Sequence, residues 1–97
     1  MEDKLQDEVE RARRAKEILD NELFKEAMEA IRTECQRAWE ETKSDQDERR
    51  ERIWMMLKVA EKFRLNIESY LNDGTLAQAK IAELDEDEKR RRLFGWI

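Results

Sequence analysis

The chain has 97 residues, 46% of them charged, with no Pro, no His, two Gly, one Cys and a formal net charge of −5. Near absence of Pro and Gly leaves few loop punctuators and favours long helices, while three Trp, three Phe and one Tyr are too many for a disordered acidic tail. Without His the usual general base near neutral pH and the commonest metal ligand are missing, and a single Cys excludes an intrachain disulfide.

A first helix is predicted over residues 2–19, highly charged, with Leu5, Val9, Ala12 and Lys16 or Leu19 marking a thin stripe at three- and four-residue steps. Asp20 and Asn21 interrupt it. Either can cap a second helix, since a short side-chain acceptor satisfies free amides of a first turn, and a helix running straight through is the alternative. The second helix covers residues 22–42, and Leu23, Phe24, Ala27, Met28, Ile31, Cys35, Ala38 and Trp39 form its wide apolar face. ETKSDQDE holds no apolar residue and is the expected reversal, with Ser44 or Asp45 as cap.

A third helix is predicted over residues 46–72. Its stripe is the strongest in the chain, with Ile53, Trp54, Met56, Leu57, Ala60, Phe63, Ile67, Tyr70 and Leu71. Asn72-Asp73-Gly74 reads as its end, because Gly takes the left-handed conformation that closes helices. Thr75, with Gln78 in the capping-box position, then opens a fourth helix to residue 84, which a charged segment over 85–92 can extend. The fold class is all-α: an antiparallel helical hairpin core with a charged N-terminal helix and a short C-terminal helix. The division is one helical domain over 1–84, then a charged segment and hydrophobic tail over 85–97. A short connection makes helices two and three antiparallel neighbours, so Trp39 should approach Trp54, and Phe24 should approach Ile67. Arg64 falls on the apolar line and needs a carboxylate, with Glu26 or Glu29 level with it. The hairpin leaves one side open, to be covered by another helix or by a second copy of the chain.

No catalytic constellation emerges. Cys35 lies on an apolar face, where a small core residue is the ordinary occupant. Asp73-Gly74 and the acids at 85–88 lack the alternating oxygen ligands of a calcium loop, and no Gly-rich phosphate loop occurs. The chain therefore reads as a non-enzyme without cofactor or metal. RARRAK at 11–16 and DERRER at 47–52 are basic clusters on charged helices. Solvated faces explain both, and a small nucleic-acid-associated regulator using the basic patches of helix one and the tail is the second reading. Trp39 and Trp54 sit at core spacing, which suits packing rather than ligand stacking.

The ending DEDEKRRRLFGWI stands apart. Leu93, Phe94, Trp96 and Ile97 lie beyond the periodic core. They fold back over an open face, or they fill a partner's pocket while Arg90, Arg91 and Arg92 steer it, or they touch an anionic membrane. The adjacent acids argue against the membrane. The partner-binding candidates are thus Arg90, Arg91, Arg92, Leu93, Phe94, Trp96 and Ile97, and the expected partner is another protein or the chain itself. A polar, acidic start and the absence of a long apolar run make cytoplasm the expected compartment.

Two resemblances add to this. RRLFG at 91–95 looks like the cyclin-docking motif, although nothing else in the chain looks like a cell-cycle inhibitor. Over residues 12–84, ARRAKEILDNELFKEAMEAI, AWEETKSDQDERRERIWMMLK and LNDGTLAQAKIAEL resemble small uncharacterised helical proteins of tailed phages and prophages. That resemblance implies a phage or prophage origin, a host-cytoplasm or virion location and a role near virion assembly. It transfers no activity, and the tail lies outside it.

Overall fold

The computed structural model describes residues 2–95, and among them the chain is all-α. Three helices follow in order: α1, Glu2–Asp20; α2, Glu22–Glu40; α3, Asp47–Phe94. Trp96 and Ile97 lie outside the described residues.

The break between α1 and α2 is a local event. Asn21 has extended backbone (φ −68°, ψ 125°), and its side-chain oxygen accepts the Phe24 amide at 3.0 Å. One of the four free amides of α2 is thereby satisfied, so Asn21, not Asp20, is the cap. After α2 the chain reverses over 41–46. Thr42 is buried; its hydroxyl donates to the Trp39 carbonyl at 2.6 Å and accepts from Arg50 Nε at 2.6 Å. The Arg50 guanidinium also lies over the Trp39 ring, 5.2 Å from its centroid. Gln46 accepts the Lys43 amide on its side chain at 2.9 Å, and its carbonyl accepts the first helical bond, from Arg50 N at 3.1 Å. The third helix therefore starts just past Ser44 and Asp45, the expected caps.

The predicted stop at residues 72–74 and the separate short C-terminal helix are both overturned. α3 runs unbroken through Gly74 to Phe94, and Gly74 has no positive φ. Its lack of a side chain serves packing. A Cβ at Gly74 would collide with the Ala12 Cβ and stand 3.2 Å from the Glu8 carbonyl oxygen. With nothing forcing a left-handed turn, Asn72 and Asp73 simply continue the helix, and the Thr75 hydroxyl donates back to the Leu71 carbonyl at 3.2 Å instead of capping a new one.

The chain divides into two compact units. The first comprises residues up to Lys16 and those from Glu68 onward. Here α1 meets α3 through small residues: Ala12, Ala15, Gly74 and Ala77 are all buried. Arg11 lies over the Tyr70 ring at 5.4 Å. The second unit, Glu17–Ile67, joins α2 to the first part of α3. Phe24 stands 6.5 Å from Phe63, ring centroid to centroid, and Arg32 reaches Glu61 at 3.9 Å. Phe24 was expected level with Ile67; its ring neighbour is Phe63, one turn earlier on the same helix. Arg64 is half-buried, with Glu61 on its own helix as a carboxylate partner at 3.1 Å.

Candidate functional site

In both units the buried side chains are modest in size: Ala12, Ala15, Ala77, Cys35 and Ile67 are the buried apolar residues, and no large side chain is fully enclosed among the described residues. The second unit carries a contiguous apolar groove of about 910 Å³ along α2 and α3. Phe24, Ala27, Met28 and Ile31 line it from α2, and Met55, Met56, Val59 and Phe63 from α3, with Arg52 as its single charged residue. Val59 is 68% exposed, Met56 62% and Phe63 57%. Such protrusion follows from the sequence. Met56, Val59 and Phe63 point about a quarter-turn away from the Ile53–Leu57–Ala60–Ile67 line, and Met55 lies further round, so α3 is apolar well beyond the face that α2 covers.

A second cleft, on the other side of the same pair, is lined by Cys35, Trp39, Ile53, Trp54 and Leu57. It brings Trp39 and Trp54 to one place, as the short reversal predicts. Cys35 is buried there. Among the described residues no group of three or more His, Cys, Asp and Glu side chains gathers to hold a metal, and no helix is long and apolar enough to cross a membrane.

The sequence-predicted tail site takes a definite local form. Arg90, Arg91, Arg92, Leu93 and Phe94 are the last turns of α3. Arg90 bonds Glu86 at 3.5 Å and Arg92 bonds Glu88 at 3.0 Å, both four residues apart and exposed. These pairs and the run of good helix formers extend the helix, each pair worth a few tenths of a kcal/mol. Leu93 and Phe94 are 62% and 64% exposed, so this part of the tail does not fold back as a lid.

The arginines of the basic patch at 11–16 have partners within their own unit. Arg13 donates to Glu10 at 2.7 Å, Arg14 approaches the same carboxylate at 3.4 Å, and Arg11 is engaged by Tyr70. Hydrogen bonding from Arg13, with the charges of Arg13 and Arg14, holds the Glu10 carboxyl below its ordinary value. Sequence reasoning missed the groove. Met55 and Val59 fell outside the main stripe, and the signal for them was their four-residue spacing from each other and from Phe63.

Compared with protein-family models, curated proteins and solved structures, the chain matches none.

Proposed function

We propose that this chain is a non-enzymatic protein-interaction module, built on a helical hairpin of α2 with the first part of α3. The observation that carries the reading is the amount of large apolar surface left uncovered: Met55, Met56, Val59 and Phe63 in the groove, and Leu93 and Phe94 at the end of α3. Soluble chains seldom expose patches of this kind unless another surface covers them. At the carboxyl end Arg90, Arg91 and Arg92 steer a partner, and Leu93 and Phe94, with Trp96 and Ile97, anchor in its pocket. Arg and aromatic residues suit that role because they dominate interface hot spots. The phage-like pattern over 12–84 suggests the setting, an assembly or accessory factor. The nucleic-acid reading gains no support from helix α1, whose arginines already face Glu10 and Tyr70.

Affinity capture with the full chain and with a chain ending at Asp87 tests the tail. Loss of one dominant partner, with an unchanged melting temperature, is the expected result. Equal recovery by the shortened chain sinks the docking role.

A further inference from the structure

We propose that the end of α3 pairs with the same segment of a second copy of this chain, antiparallel about a twofold axis that passes between Glu88 and Lys89. The inference rests on the reading of the carboxyl end as an interaction element, and it names the partner.

The order of charges supplies the ground. From Leu84 to Leu93 the chain reads LDEDEKRRRL, four acids and then four bases between two leucines. Turned end for end about its middle, this segment becomes its own charge complement. Asp85 comes level with the partner's Arg92, Glu86 with the partner's Arg91, Asp87 with the partner's Arg90 and Glu88 with the partner's Lys89. One continuous helix displays these residues, and every residue from Asp85 to Phe94 is exposed. Ion pairs within the helix use part of the charge, joining Glu86 to Arg90 and Glu88 to Arg92. Asp87 and Arg91, also four residues apart, form no ion pair among the described residues.

Helix phase selects the face. At about 100° per residue, Glu83, Glu86, Asp87, Arg90, Arg91 and Phe94 share one side of α3, and all six are exposed. Gly74 and Ala77, buried where α1 crosses, lie away from that side. Antiparallel seating brings Glu86 and Asp87 of each copy against the partner's Arg90 and the partner's Arg91. It also lays Phe94 along the aliphatic stems of the partner's Lys80 and the partner's Glu83. A parallel copy in register would set acid against acid and base against base, which is costly. A foreign protein would need the same charges in the opposite order at helical spacing, and this chain already carries them. One face then serves both copies, as an isologous contact requires. Each chain contributes a single helix segment with exposed ion pairs, so the contact belongs to the weak, salt-sensitive class.

Sedimentation equilibrium on the full chain at low ionic strength should show the mass rising with concentration from 11.8 kDa toward twice that value. It should fall back to the single chain at about 1 M salt, where the screening length is about 3 Å. Two variants separate pairing between chains from stabilisation within the helix. Glu86→Lys with Asp87→Lys makes the face basic throughout, and Arg90→Glu with Arg91→Glu makes it acidic throughout. Each alone should weaken self-association by about tenfold or more, since the cross-chain pairs all become repulsive. Their equimolar mixture should associate at least as tightly as the parent, because every cross-chain pair is then opposite in sign. Mixing repairs nothing within either helix, where these residues four apart still carry like charges, so recovery reports contact between chains. A chain ending at Asp87 should stay monomeric. The proposal is overturned by a parent that is monomeric at every concentration, by association that high salt leaves intact, or by variants that associate like the parent. It is equally overturned by a mixture that fails to recover, or by a dimer that survives truncation. A monomer that captures a different protein through the tail removes self-pairing and leaves the docking role. A dimer whose tail captures no other protein upholds self-pairing and narrows the interaction reading to it.

Discussion

The two units solve the same problem with opposite materials. In the first, Ala12, Ala15, Gly74 and Ala77 bring two helices so close that a single added carbon would collide, and these small residues end up buried. In the second, Phe24, Met28, Met56 and Phe63 hold α2 and α3 apart around large side chains, and much of that surface stays exposed. Small residues thus give a closed contact at the helix crossing, whereas large ones leave a groove. Tight packing here marks the crossing of α1 on α3, and loose packing marks the pairing of α2 with α3.

That contrast breaks most severely at Gly74. Gly74→Leu should cost about 3 kcal/mol by overpacking. Gly74→Ala should cost less, because Ala recovers about 1 kcal/mol of helix propensity against its own clash. Thermal unfolding with backbone amide exchange in α1 measures both, and a Leu variant as stable as the parent would refute the close crossing. The second unit depends instead on its polar turn. Thr42→Val removes the acceptor for Arg50 and the donor to Trp39, and should cost about 1.5 kcal/mol in urea unfolding. At the junction of α1 and α2, Asn21→Ala should cost about 1 kcal/mol, with Asn21→Asp close to neutral.

The smallest effect is electrostatic and belongs to the first unit. Glu10 titrates below its ordinary value of 4.5 in the folded chain, so its contribution is present above that value and is lost as pH falls through the folded one. Arg13→Ala should raise the Glu10 titration, followed by carboxyl carbon NMR. No movement would mean that the ion pair is absent in solution.

Helices α1 and α2 were legible because their limits are written locally: an Asn that caps, a polar stretch that turns. The apolar stripe of α3 was legible for the same reason, as 3.6-residue periodicity needs no knowledge of the neighbour. Gly74 was misread because Asn-Asp-Gly carries two meanings, helix stop and close approach, and Ala12, sixty-two positions away, decides between them. The facing pair Trp39 and Trp54 near the turn was legible, whereas Phe63 as the ring neighbour of Phe24 is a choice that stripe periodicity alone does not make. Met55 and Val59 were visible as apolar residues; that α2 leaves them uncovered was not. The tail arginines and apolar residues were singled out by sequence, and their helical, exposed display from Arg90 to Phe94 is what the structure adds.

Cys35 gives the second unit its own clock. It is the chain's only thiol, 6% exposed and set in the cleft between α2 and α3. An aqueous thiol reagent can reach it freely only when those helices part, so the labelling rate of the unaltered protein counts those excursions. The first unit, which has no cysteine, contributes nothing to the signal.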